Sequence, residues 1–171
     1  MHGPETSRVL FGGRYVRVEG ETWLGLGEYE VIKQLGAAAV LPITLDGLAI
    51  LVRQFRPPIR DDLVEIPAGL LDVEGEDALT CAERELSEET GYRAVAIEFL
   101  GGVFMSPGST DHYVHLFVAR TGPTPVHAPE DGIELVIRPF DEMVSAAQAG
   151  RVRDAKTALA LLLAAARPSL P

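Results

Sequence analysis

From Arg84 to Tyr92 the chain reads Arg-Glu-Leu-Ser-Glu-Glu-Thr-Gly-Tyr. Glu85, Glu88 and Glu89 stand at i, i+3 and i+4, so a helix carries all three carboxylates on one face, within an arc of roughly 100°. Like charges at this spacing repel by roughly 0.2–0.5 kcal/mol per pair unless a cation lies between them. Oxygen donors in such a cluster suit a hard cation, Mg²⁺ or Mn²⁺, rather than a soft metal. The helix is predicted to run from Glu76 to Thr90, with Gly91 as its C-terminal stop and Leu79 and Leu86 on its apolar face.

The rest of the chain is organised around that helix. Arg14 to Val18 and Glu21 to Leu24 flank Glu19-Gly20 as a candidate hairpin, and Tyr29 to Gln34 alternates as a further strand. Ala37 to Leu45 and Leu48 to Phe55 flank Asp46-Gly47, a strong hairpin dipeptide. Leu63 to Ile66, Ala94 to Gly101, Tyr113 to Ala119 and Ile133 to Arg138 read as strands. Ser106 to Ser109 and the proline-rich stretch from Thr121 to Asp131 read as loops. Pro139 to Ala149 and Asp154 to Arg167 read as helices. Met1 to Ser7 reads as a loose terminus. Many strands with few helices predict an α+β domain with a mixed sheet flanked by helices. Residues 1–35 form an N-terminal strand segment and residues 36–171 the main domain.

At 171 residues and 47% hydrophobic content the chain suffices for one domain with a sizeable core. A formal charge of −10 argues against a nucleic-acid partner, which needs a basic footprint. Phosphorylated small molecules remain accessible if metal ions and a few arginines supply local positive charge. The apolar run from Leu159 to Ala166 is too short to span a bilayer, and no signal peptide opens the chain, so no membrane association is expected. Cys81 is the single cysteine, which fits a reducing cytoplasm. With no His or Asn partner evident, it reads as a buried apolar residue rather than a nucleophile.

Gly69 is followed by six residues and Glu76, then by seven residues and Arg84-Glu85, then by Leu86-Ser87, Glu88-Glu89, Thr90 and Gly91-Tyr92. This resembles the Nudix box, the signature of hydrolases acting on nucleoside diphosphates linked to another group. One departure stands out: the family pattern has five residues where this chain has six between Gly69 and Glu76. A loop absorbs one extra residue at small cost. Arg53-Gln54-Phe55-Arg56 followed by Glu65 to Gly69, Pro107 sixteen residues past Gly91, and Asp154 to Thr157 are similar to the ADP-ribose pyrophosphatase branch.

That resemblance implies an α/β/α sandwich, Mg²⁺ (or Mn²⁺) as cofactor, ADP-ribose as substrate, and a homodimer built through the N-terminal strands. It implies Glu85, Glu89, Glu88 and the Ala68 carbonyl as metal ligands. Arg84 pairs with glutamates to hold the helix face, with Glu76 in the same shell. Arg56 contacts substrate phosphate through its planar fork. Arg53 is the weaker candidate, since strand alternation sets it on Phe55's face and opposite Arg56. For an adenine clamp Phe55, Tyr15, Tyr29 and Trp23 remain open, with Phe104 and Tyr113 ambiguous between clamp and core. His112 and His115 read as structural. The branch takes its general base from a loop after the box. Here that loop carries Glu130, Asp131 and Glu134, with Glu130 preferred and Glu134 claimed by the strand. Two alternatives stay open: another nucleotide sugar such as GDP-mannose, and an ADP-ribose sensor without turnover.

Overall fold

The computed structural model describes residues 3–169. Its strands are β1 (Thr6–Gly12), β2 (Val16–Trp23), β3 (Gly27–Gln34), β4 (Ala37–Thr44), β5 (Leu48–Arg56), β6 (Asp61–Glu65), β7 (Ala68–Leu70), β8 (Ala94–Phe104), β9 (Tyr113–Thr121) and β10 (Glu134–Pro139). Its helices are α1 (Ala78–Thr90), α2 (Phe140–Gln148) and α3 (Ala155–Ala165). Strands β4 to β10 form one sheet, with β4 and β9 parallel and the other pairs antiparallel. The expected mixed sheet is therefore present.

Strand β4 explains the sandwich. All eight of its residues are buried. Ala37, Ala39, Leu41 and Ile43 pack into a core with Val144 and Ala147 of α2 and Ala160, Leu161 and Ala164 of α3. Ala38 and Val40 pack into a second core with Cys81, Ala82 and Leu86 of α1. Alternation along one strand thus feeds two cores, which requires helices on both faces of the sheet.

Near the sheet's centre β4 and β5 part. They pair at Ile43 and Ala49, after which β5 pairs with β6 and β4 pairs with β7. The β6–β7 segment is a wedge driven into the opening. Sequence reading expected a single strand from Leu63 to Ile66 and missed β7, because three residues with a leading Pro67-Ala68 carry no alternation to read.

The N-terminal strands form a separate antiparallel sheet, β1-β2-β3. Two expectations are corrected there. Glu19-Gly20 is not a hairpin: both residues pair with β3 in mid-strand, and the turn lies beyond Trp23, where Gly25 and Gly27 have positive φ. Gly20 is a close-approach glycine, since a Cβ there would lie 3.3 Å from the Leu10 side chain. Thr6 and Ser7, expected in a loose terminus, open β1; Met1 and His2 lie outside the described residues. β1 is exposed along its whole length, so burial left no pattern in its sequence. This sheet reaches the main sheet through Ile32, whose N–H donates to the Ser109 carbonyl at 2.8 Å, and through Gln34, whose N–H donates to Asp111 at 3.0 Å. Among the described residues no helix is long and apolar enough to cross a membrane.

Asp154 caps α3 and ties it to the wedge. Its Oδ2 accepts from the Thr157 N–H at 3.0 Å and from the Thr157 hydroxyl at 2.5 Å. That hydroxyl in turn accepts from the Ile66 N–H at 2.8 Å. Replacing Asp154 by Ala removes the cap and leaves buried partners unmatched, an expected loss of about 1–2 kcal/mol. Urea unfolding of Asp154→Ala with an unchanged midpoint would contradict this assignment.

Candidate active site

Asp77, not Glu76, begins α1: its carboxylate accepts from the Thr80 N–H at 2.8 Å, so the helix starts at Ala78. Glu76 lies before the cap and reaches back to Arg84, two turns on, at 2.9 Å. The buried stripe of the helix is Cys81, Ala82, Leu86, Glu89 and Thr90, the spacing of one helical face. Leu79, expected on that stripe, is exposed. Glu89 therefore belongs to the core-facing side, while Glu88 is turned to solvent.

This divides the three carboxylates. Glu89 is buried; one oxygen accepts from the Ala68 N–H of β7 at 3.1 Å and the other from the Gln54 side chain of β5 at 3.0 Å. Burial pushes its pKa up to about 7, against the pull of those two donors. Glu85 is raised too, mainly by burial, which Arg84 only partly offsets. Arg84 is the hub of the helix face, meeting Glu85 at 2.5 Å, Glu76 at 2.9 Å and Glu88 at 3.0 Å. The hydrogen bonds to Glu76 and its neighbours hold its guanidinium far above the ordinary arginine range, and Arg84 holds Glu76 low in return. With Glu85 and Glu88 drawn to Arg84 and Glu89 turned to the backbone, no three acidic, His or Cys side chains among the described residues converge on one point.

Gly69 makes room for this arrangement: a Cβ on it would lie 1.8 Å from a Glu85 carboxylate oxygen. The extra residue between Gly69 and Glu76 is taken up in a turn, with the Glu76 N–H donating to the Val73 carbonyl at 3.1 Å and Gly75 at φ 81°. That is the positive φ required at the third position of such a turn. The turn, Asp72 to Gly75, is exposed and lies just before the Asp77 cap of α1.

On the wedge, Arg56 of β5 meets Glu65 of β6 at 2.5 Å, and Lys156 of α3 also bonds Glu65 and reaches Asp154 at 3.0 Å. Burial alone would raise Glu65, but the two cations outweigh it and its pKa is lowered. Arg56, Ala68, Gly69, His112 and Lys156 line a cavity of about 450 Å³. In the sequence Lys156 stands out only within the Asp154 to Thr157 run; its proximity to Arg56 needs the fold, since a hundred residues separate them.

The remaining candidates scatter. Arg53 lies at the β5–β10 border and meets Glu134 at 3.5 Å. Glu134 opens β10, as its strand pattern suggested. Phe55 is exposed, and Tyr15 stacks under Arg14 at 4.9 Å. Trp23, Tyr29 and Phe104 share a different cavity of about 580 Å³, between the N-terminal sheet and the Pro107–Asp111 loop. His115 sits between the Phe99 and Tyr113 rings, and His112 Nδ1 is bound to the Leu35 carbonyl at 2.9 Å. Cys81 is buried with its thiol pushed up to about 11, so it stays protonated. Glu130 is exposed in the loop after β9, its N–H donating to the Glu88 carbonyl at 2.9 Å. The loop's backbone is thus fastened to the carboxylate helix.

The donor set fits a hard divalent cation: the buried Glu89 and the half-buried Glu85, both with raised pKa values, are costly as anions, and a cation between them would remove that cost. The sandwich, the glycine that clears Glu85 and the Arg84 hub together define a hydrolase of the Nudix class. The NUDIX domain family matches residues 33–161, and the chain belongs to that family. It is 38% identical over 136 residues to an ADP-ribose pyrophosphatase of Bacillus subtilis, covering 77% of this chain and 73% of the relative. It is 34% identical over 164 residues to a methanol dehydrogenase activator of Bacillus methanolicus, covering 89% and 86%. It is 34% identical over 137 residues to a GDP-mannose pyrophosphatase of Yersinia pestis, covering 74% and 68%.

Glu89 gives a signed pH dependence. Its folded pKa lies above the ordinary 4.5, so the folded state holds the proton longer. Its contribution to stability is favourable below pH 4.5, falls as pH rises toward 7, and is flat beyond, a change of roughly 3 kcal/mol. In chelator, Glu89→Gln is expected to match the parent near pH 4.5 and to melt higher than it at pH 8. A Gln variant that melts lower at pH 8 would show that the buried charge is already compensated.

Proposed function

We propose that this Nudix hydrolase cleaves the pyrophosphate of ADP-ribose, with Mg²⁺ (Mn²⁺ as substitute), to AMP and ribose 5-phosphate. The observation that carries the reading is the buried Glu89 carboxylate bonded to the Ala68 N–H, with Ala68 and the cationic Arg56 lining one cavity beside it. The relative named ADP-ribose pyrophosphatase supports the substrate; the one named GDP-mannose pyrophosphatase keeps that nucleotide sugar as the second reading.

A divalent cation held by Glu85, Glu88, Glu89 and the Ala68 carbonyl would supply Lewis acidity and neutralise charge on the pyrophosphate oxygens. Arg56 grips a phosphate oxygen through its guanidinium fork, aimed by Glu65. Arg84 keeps Glu85 and Glu88 oriented without touching substrate. Glu130, solvent-exposed on the fastened loop, takes the proton from the attacking water, with Asp131 and Glu134 as the alternatives. Glu134's pairing with Arg53 and the strand weighs against it, and Arg53 and Phe55 remain weaker substrate contacts than Arg56.

The homodimer belongs to the same reading. No residue of β1–β3 enters either hydrophobic core, and Val9, Leu10, Phe11, Leu24 and Leu26 are exposed. A three-stranded sheet that joins neither core is marginal alone. A second copy over this sheet makes residues 1–35 the dimerising segment and 36–171 the catalytic domain. The buried free thiol of Cys81 accords with a cytoplasmic location.

Turnover of ADP-ribose with Mg²⁺, compared with GDP-mannose and diadenosine polyphosphates, tests substrate and class together. Tight ADP-ribose binding without hydrolysis of any would favour a sensor. Glu130→Gln should lower kcat by about 10²-fold or more with little change in KM, whereas Glu85→Gln should also raise the metal concentration needed. Light scattering should give twice the chain mass; a monomer would remove the dimer.

A further inference from the structure

The loop from Gly122 to Ile133 touches α1 at a definite set of points. Val126 N–H donates to the Gly91 carbonyl at 2.8 Å, and Glu130 N–H donates to the Glu88 carbonyl at 2.9 Å. Between them, His127 Nε2 lies 3.0 Å from the Ser87 hydroxyl. His127 Nδ1 lies 2.7 Å from the Ala128 carbonyl, an oxygen that only accepts, so Nδ1 carries the proton. Nε2 is therefore the acceptor and Ser87 the donor in the neutral ring. The carbonyl of His127 presses on Gly91 so closely that a Cβ there would lie 2.0 Å away. Helix ends leave carbonyls unmatched, and this loop matches that of Glu88 together with that of the Gly91 cap.

We infer that His127, clasped to Ser87, is a positioning residue that sets the Glu130 loop against the last turn of the carboxylate helix. The clasp is the one side-chain contact in this set; the others are backbone bonds that any sequence makes once the loop is docked. Residues 87 and 127 precede Glu88 and Glu130 by one and three positions, so the clasp fixes the loop's register on the turn that carries the metal-binding side chains. The inference rests on Glu130 as the general base and extends it to the residues that aim it.

The test uses the full-length protein with ADP-ribose and Mg²⁺. His127→Ala and Ser87→Ala should each lower kcat by about 10-fold with KM within about 2-fold, and Ser87→Thr, which keeps the hydroxyl, should retain parental kcat. In a Glu130→Gln background, adding His127→Ala should change kcat no further. Amide exchange of Val126 and Glu130 should quicken by about 10-fold or more in His127→Ala, with the amides of Cys81 to Leu86 unchanged. Unchanged kcat in His127→Ala, or a full further loss on top of Glu130→Gln, overturns the positioning role. Full activity of Glu130→Gln alone overturns the base assignment and the inference with it. A loss in Glu130→Gln without one in His127→Ala overturns the clasp only.

Discussion

The two hydrogen bonds on the Glu89 carboxylate hold three elements in one place. Through Ala68 they tie α1 to β7, and through Gln54 they tie it to β5. A carboxylate buried on the core side of a helix would be an expensive anion without them. Because β7 and β5 are neighbours only across the wedge, this side chain, together with the packing of Cys81, Ala82 and Leu86, holds the helix over the opening in the sheet. Gly69, one residue past Ala68, must then be bare for Glu85 to pass. Arg84 gathers Glu85 and Glu88 on the outer side, so the helix face is divided into an inner carboxylate held by backbone and an outer pair held by arginine.

A second constraint acts from the opposite side. Arg56, Glu65, Lys156 and Asp154 form a chain of alternating charge that reaches from the wedge to the cap of α3. It leaves Arg56 partly exposed yet oriented, which is what a phosphate grip needs, since an arginine already held by a buried carboxylate loses little side-chain freedom on binding. The candidate base is aimed by neither group. Its loop is fastened to the C-terminal carbonyls of α1, so the helix that offers carboxylates at one end of its face also carries the loop at its last turn.

Much of this was legible in the sequence where a local rule and the fold agree. Asp46-Gly47 makes its turn, Gly91 ends its helix at φ 75°, and the period of α1 places the glutamates on the helix. Legibility failed where tertiary contact overrode the local signal. Gly20 looked like a turn and is a gap for Leu10. Leu79 looked like core and is exposed: it shares Leu86's face by period but sits in the first turn of α1. Three carboxylates on one arc looked like one cluster, yet burial separates Glu89 from Glu88. Lys156 beside Arg56, and His127 beside Ser87, depend on contacts between elements far apart in sequence that no spacing announces.

The parting of β4 and β5 carries its own consequence. The wedge residues between Asp61 and Leu70 hang on the inner edges of two strands whose outer edges and faces are already committed to the cores. Ile66 of that wedge is itself buried in the core shared with α2 and α3, and Ala68 bonds Glu89, so a length change there would move the cleft and the core together. The lip of the cleft is thus part of its own foundation, and its shape is set by the same packing that holds the sheet to its helices.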